Sequence, residues 1–193
     1  MFQVRFHGRG GQGVVTAAEL LAEAAFVEGR HAQAFPSFGS ERMGAPVMSF
    51  CRIDGKPIRT HEPVTEPDAL IIQDPTLLHQ ADLFAGLSGD GYMLINSTKS
   101  FHELGLDEFV RGFHRDRLLV VPASSLALTH LGRPLPGAPM LAGFAALTGM
   151  VKLDSVLAAI NGRFSGPVAE GNATAARAAY DFVTDERKAL SDA

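Results

Sequence analysis

Two glycine-bearing loops near the start of the chain carry the residues best suited to bind an anion. In the first loop, residues 8–13 have the spacing Gly-x-Gly-Gly-x-Gly. Glycines allow a tight turn whose backbone N–H groups approach a phosphate closely, and a helix that begins after the turn points its positive end at the anion. Arg9 can add a charge-assisted hydrogen bond. We therefore expect residues 8–13 to contact a phosphate-bearing group.

The glycine spacing is also compatible with two other roles. The glycines could serve only to let a strand pack closely against the following helix. The spacing also occurs in dinucleotide-binding proteins, where an acidic residue about 20 positions further on holds the ribose hydroxyls. Residues 31–37 contain no Asp or Glu, and Glu28 falls within the predicted helix. A conventional NAD site is therefore disfavoured.

The second loop, residues 37–47, holds a Glu-Arg pair that is bracketed by two glycines and a proline. One interpretation is a solvated loop, because an exposed ion pair contributes little stability. The pair stands directly before a predicted strand.

The pattern of apolar residues predicts the elements that position these loops. Residues 2–6 alternate as a strand does, and residues 14–28 have apolar positions at helical spacing. Asp54-Gly55 predicts a turn, with residues 57–59 as the return arm of a hairpin. Continuous apolar runs predict buried, parallel strands at 69–72, 92–95 and 118–121. We expect an α/β fold, a three-layer sandwich with a mostly parallel central sheet, Rossmann-like, in a single domain over residues 1–193.

Composition excludes several classes of protein. Cys51 is the single cysteine among 193 residues, which rules out a disulfide framework and an iron–sulfur or Cys-based zinc site held by this chain alone. A reducing, cytoplasmic compartment is the simplest interpretation. The net charge of −4, with scattered Lys and Arg, argues against nucleic-acid binding. No apolar stretch approaches the roughly 20 residues that a membrane span needs, so we expect no membrane partner.

Several motifs occur in an order that resembles a known family. They are GRGGQG at 8–13, FGSERMGAPV at 38–47, CRIDGKPI at 51–58, PDALIIQDPTLL at 67–78, INS at 95–97 and MLAGF at 140–144. Together they resemble the gamma subunit of pyruvate:ferredoxin oxidoreductase and related 2-oxoacid:acceptor oxidoreductases, over nearly the whole chain. A set of motifs in family order is far more specific than any one of them.

The resemblance implies a subunit of an enzyme that oxidatively decarboxylates a 2-oxoacid to an acyl-CoA. It implies thiamine diphosphate, Mg and [4Fe-4S] clusters in partner subunits of alpha, beta and delta type, and ferredoxin or an NAD-reducing subunit as acceptor. The gamma chain is associated with the coenzyme A end of the reaction. The contacts expected on this basis are Gly8, Arg9, Gly10, Gly11, Gln12, Gly13, Ser40, Glu41, Arg42, Gly44 and Ala45. The second loop would form the second wall of the site, in which Arg42 supplies a cation and Glu41 orients it. No catalytic or metal-binding residue is expected in this chain.

Three alternatives to this function stay open. The chain could belong to an indolepyruvate or aryl-glyoxylate type of oxidoreductase, because the oxoacid pocket is built elsewhere. It could be a non-catalytic assembly subunit, or a nucleotide-binding module. Asp74 and Asn96 are further candidates for the site, because they follow predicted strands at the edge where open α/β sheets bind ligands. His7 could touch a phosphate or simply pack at a strand end.

Overall fold

A single mixed sheet forms the centre of the protein. The computed structural model describes residues 1–37, 43–80 and 82–192. Its strands are β1 (Phe2–Arg9), β2 (His31–Pro36), β3 (Pro46–Asp54), β4 (Ala69–Ile72), β5 (Tyr92–Asn96) and β6 (Leu118–Val121). The strand order is β2-β3-β1-β4-β5-β6. Strands β1, β4, β5 and β6 pair in parallel, whereas β3 is antiparallel to both β1 and β2. The predicted α/β fold is confirmed.

One face of the sheet is covered by helices. The helices are α1 (Val14–Val27), α2 (Asp107–Val110), α3 (Ala123–Leu131), α4 (Gly137–Thr148), α5 (Leu153–Arg163) and α6 (Gly166–Ser191). All of them except α2 contribute to the larger apolar core. In α4, a Cβ at Gly143 would lie 3.1 Å from Leu94 Cδ2 and 3.3 Å from Val183 Cγ2. The small residue therefore lets α4 fit between β5 and α6. Within the described ranges, no helix is long and apolar enough to cross a bilayer.

The opposite face is covered by short elements rather than long helices. A second apolar core there contains Leu70 and Ile72 of β4, together with Leu77 and Leu83 from the chain that follows β4. Successive side chains of a strand point to opposite faces, so Ala69 and Ile71 belong to the larger core instead. Burial on both faces explains why β4 is a continuous apolar run in the sequence.

Candidate anion-binding site

The carboxyl ends of β1 and β4 mark the point where the chain changes faces of the sheet. Strand β1 leads into α1 on the helical face, whereas β4 leads into a 3-10 turn, Pro75–Leu77, that packs in the opposite core. Connections that leave on opposite faces open a crevice between neighbouring parallel strands, and open α/β sheets bind ligands in such crevices. The first glycine loop and Asp74 lie at this crevice.

Asp74 joins the first glycine loop to the turn that follows β4. Its carboxylate accepts hydrogen bonds from Gln12 Nε2 at 2.7 Å and from the backbone N–H and the hydroxyl of Thr76 at 2.9 and 2.6 Å. Arg9 Nε lies 3.4 Å from the same carboxylate. Burial raises the pKa of Asp74, but the hydrogen bonds and the charge of Arg9 together outweigh burial and hold the pKa below its usual value. Asp74 is therefore ionised at neutral pH.

Arg9 is held in place by contacts to the turn after β4 and to the second glycine loop. Its guanidinium donates to Thr76 Oγ1 from Nε at 3.1 Å and from Nη2 at 2.8 Å, and to the Gly44 carbonyl from Nη1 at 3.1 Å. These bonds use three of the five N–H groups of a guanidinium, and the side chain is still 32% exposed. Arg9 can thus offer an ordered cation to an anion, with less rotamer entropy to lose on binding.

The glycines of the first loop serve two different purposes. A Cβ at Gly8 would lie 2.6 Å from Val14 Cγ2 and 3.0 Å from Gln12 Oε1, so Gly8 permits close packing of strand and helix. Gly11 has φ of 92°, and a Cβ there would lie 2.5 Å from Met43 Sδ. Close packing therefore accounts for Gly8, whereas the backbone conformation itself favours glycine at Gly11.

The second glycine loop pairs with the first. Gly10 N–H donates to the Ala45 carbonyl at 2.9 Å, and Gly44 N–H donates to the Gly10 carbonyl at 3.0 Å. Gly44 and Ala45 are thus brought against the first loop, as a shared binding site would need. The other predicted residues of the second loop, Ser40, Glu41 and Arg42, lie outside the described residues.

The start of α1 adjoins a small cavity beside the first glycine loop. Among the described residues, no side chain caps the helix at Gly13, and its first turn contains no acidic residue. The first-turn N–H groups of a helix have no intrahelical partner, and they carry the positive end of the helix dipole. They adjoin a cavity of about 250 Å³ lined by Arg9, Gly10, Gly11, Gly13, Val14, Val15, Thr16 and Val47. This combination of backbone donors and a cation is suited to a phosphate.

A larger, more apolar cavity lies on the other side of the glycine loop. It has a volume of about 440 Å³ and contacts Gly11 to Gly13, the beginning of α4 at Gly137, and the apolar side chains of Leu20 and Phe164. Arg133 also lines it. A ligand that reaches over the glycine loop could place a charged group in the smaller cavity and an uncharged part in the larger one.

Sequence reasoning missed two polar residues of the site. They are Thr76, which binds Arg9 and Asp74, and Arg133, which lines the larger cavity. Thr76 could have been found, because an Asp-Pro-Thr sequence after a buried strand is typical of a turn in which the Asp side chain accepts from the backbone. Arg133 follows α3 as an isolated cation, and no local pattern marks it. The position of each residue beside the site depends on the packing of segments that are distant in the sequence.

Asn96 and His7 have structural contacts. Asn96 Nδ2 donates to the Gln73 carbonyl and to Ser124 Oγ, both at 2.8 Å, and its Oδ1 accepts from Ser124 N–H at 3.0 Å. The amide therefore ties β4, β5 and the start of α3 together. His7 is buried beside Arg5, whose Nε lies 3.0 Å from His7 Nε2.

Comparison with known proteins gives consistent results over nearly the whole chain. The family described as "Pyruvate ferredoxin/flavodoxin oxidoreductase" matches residues 3–182. The "Pyruvate/ketoisovalerate oxidoreductases common subunit gamma" of Pyrococcus abyssi is 49% identical over 181 residues, which cover 94% of this chain and 96% of the relative. The "Pyruvate synthase subunit PorC" of Methanothermobacter marburgensis is 44% identical, covering 94% and 97%. The crystal structure of the pyruvate oxidoreductase subunit PORC from Thermotoga maritima has a TM-score of 0.77 and 36% identity, covering 93% and 95%.

Proposed function

The chain belongs to the pyruvate ferredoxin/flavodoxin oxidoreductase family as a gamma-type subunit, and we propose that it contributes to the coenzyme A site of a multi-subunit enzyme. The reaction is the oxidative decarboxylation of a 2-oxoacid to an acyl-CoA, with ferredoxin as the electron acceptor. The residues of this chain bind and orient the acyl carrier. They do not carry out the redox chemistry.

The observation that carries the proposal is the uncapped start of α1 beside an ordered Arg9. Coenzyme A is an elongated molecule whose phosphates need N–H donors and cations. The 250 Å³ cavity offers the first-turn N–H groups and the guanidinium, and the 440 Å³ cavity offers apolar walls to an uncharged part of the molecule. Gly8, Arg9, Gly10, Gly11, Gln12, Gly13, Gly44 and Ala45 would form this site, with Ser40, Glu41 and Arg42 as further contacts expected from the sequence.

The strand order argues against a dinucleotide at this loop. In the usual dinucleotide-binding sheet, the second strand of the chain lies beside the first, and its end holds the ribose. Here the antiparallel strand β3 lies between β1 and β2. The end of β2 is therefore one strand further from the glycine loop than a ribose contact would need, and residues 31–37 offer no acidic side chain.

The rest of the enzyme belongs to partner subunits under this proposal. Cys51 is the single cysteine and is fully buried, so cluster ligands must come from other chains. In the described part of the chain, no group of three His, Cys, Asp or Glu side chains is placed to hold a metal ion. Alpha, beta and delta subunits would supply thiamine diphosphate with Mg, and the [4Fe-4S] clusters. The complex would work in the cytoplasm, because free cysteine and clusters suit a reducing compartment.

The test is a substitution of Arg9 in the assembled complex. We expect Arg9→Gln to raise the apparent KM for coenzyme A about tenfold, the effect of losing one charge-assisted hydrogen bond, while the KM for the 2-oxoacid stays within about twofold. Arg163→Gln is the matched control, because Arg163 is similarly exposed and pairs with Glu19 on the surface. An unchanged KM for coenzyme A would favour a purely assembling role for this chain.

A further inference from the structure

A third cavity lies on the sheet face that the long helices do not cover. Its volume is about 540 Å³, which is within the range of small-molecule sites. Arg5, His7, Met48 and Phe50 of β1 and β3 line one side of it. The apolar side chains of Val64, Leu77 and Leu83 line the other. The cavity is thus mostly apolar, with two nitrogen-bearing side chains from β1.

Arg5 is a buried cation whose described contacts are all uncharged. It is 5% exposed, and it donates to His7 Nε2 at 3.0 Å and to the carbonyls of Val64 at 3.4 Å, Leu83 at 3.0 Å and Ala85 at 2.7 Å. Within residues 1–37, 43–80 and 82–192, no carboxylate lies within ion-pair distance of its guanidinium. A buried charge without an opposite charge is costly, so an anion in the cavity would be stabilised.

His7 adds a neutral donor beside this cation. Its Nε2 accepts from Arg5 Nε, so in the neutral ring the proton is on Nδ1. Burial and the charge of Arg5 lower the pKa of His7 to about 3, which keeps the ring neutral at physiological pH. Among the described residues no acceptor is paired with Nδ1. The imidazole can therefore donate one hydrogen bond to a ligand in the cavity.

We propose that this cavity binds a small monocarboxylate with an apolar tail. The carboxylate oxygens accept hydrogen bonds from Arg5 and from His7 Nδ1–H, and the tail packs on Val64, Leu77 and Leu83. Asp82 also lines the cavity and is exposed, so a second negative charge on the ligand is disfavoured there. Val47 lines both this cavity and the 250 Å³ cavity. The residues that would contact the carboxylate and the tail are not part of the proposed coenzyme A site.

The probes are isovalerate and 3-methyl-1-butanol, which share a carbon skeleton and differ in charge. We expect the full-length chain to bind isovalerate at least about tenfold more tightly by titration calorimetry, because hydrogen bonds to a charged group are the stronger ones. The NMR signals of the His7 ring should shift on titration with isovalerate. Equal affinity for acid and alcohol, or a His7 ring that does not respond, would overturn the proposal.

Two variants locate the binding. Arg5→Met should abolish the preference for the acid, but the loss of its hydrogen bonds could unfold the chain.

Met48→Trp is the second variant. Met48 lines the cavity and is 36% exposed, so a larger side chain can fill the space without removing a buried contact. We expect Met48→Trp to weaken isovalerate binding at least about tenfold at an unchanged Tm, with Met48→Leu as the control. Wild-type affinity for isovalerate in Met48→Trp would count against binding in this cavity. A structure of the assembled complex in which an acidic side chain of a partner subunit fills the cavity would also count against it.

Discussion

Asp74→Asn tests whether the crevice between β1 and β4 is held by a charge. Asn can still accept from Thr76 through its carbonyl oxygen, but it loses the charge that Arg9 and Gln12 Nε2 face at 3.4 and 2.7 Å. A hydrogen bond to a charged group contributes about 1.5–3 kcal/mol, and a partly exposed ion pair contributes less than about 1 kcal/mol. We therefore expect the free energy of unfolding to fall by about 2 kcal/mol at neutral pH.

The effect of Asp74→Asn must also depend on pH. The pKa of Asp74 is lowered in the folded protein, so its contribution is complete above the unfolded-state pKa of about 3.9 and is lost as the pH falls through the lower folded-state pKa. Denaturant unfolding at neutral and acidic pH measures this, with Asp185→Asn, in an exposed pair with Lys188, as the control. Equal stability of the wild type and Asp74→Asn at neutral pH would refute this role of the charge. A difference in stability between them that persists in acid would also refute it.

Three further predictions concern single residues at or near the candidate site. Gly8→Ala should destabilise the chain by about 1–3 kcal/mol because of the contact with Val14, as measured by denaturant unfolding. An unchanged free energy of unfolding would mean that β1 and α1 can move apart at no cost. Asn96→Ala should lower the free energy of unfolding by about 2 kcal/mol, since it leaves buried partners unpaired, without changing the KM for coenzyme A; a selective rise in that KM would instead make Asn96 a ligand contact. Arg42→Ala is expected from the sequence to raise the KM for coenzyme A more than the KM for the 2-oxoacid, and steady-state kinetics with the reverse order would contradict the assignment.

Much of the fold could be predicted because the patterns that form it are local. Helix α1 follows from helical spacing between two glycines, and β4, β5 and β6 follow from apolar runs that are buried on both faces. The predicted hairpin arm at residues 57–59 is wrong, because these residues are in no strand. The edges of β3 are occupied by β1 and β2, so no edge is left for a returning arm. Strand order is set by packing across the whole sheet, which a local pattern does not contain.

The candidate site also combines features that are set locally in the sequence with contacts that depend on the tertiary structure. The glycine turn, the start of α1 and the Asp-Pro turn are each set by the backbone preferences of neighbouring residues, so the sequence alone was enough to predict a glycine turn followed by a helix. The predicted start of the loop at residue 8 is wrong, because β1 continues through Gly8 and Arg9. The partners of Arg9 are Thr76 and Gly44, which are 67 and 35 positions away. Only the tertiary structure decided those contacts, and the burial of Arg5 and His7 in a separate cavity, because they arise where β1 lies between β3 and β4 and distant segments close over the sheet.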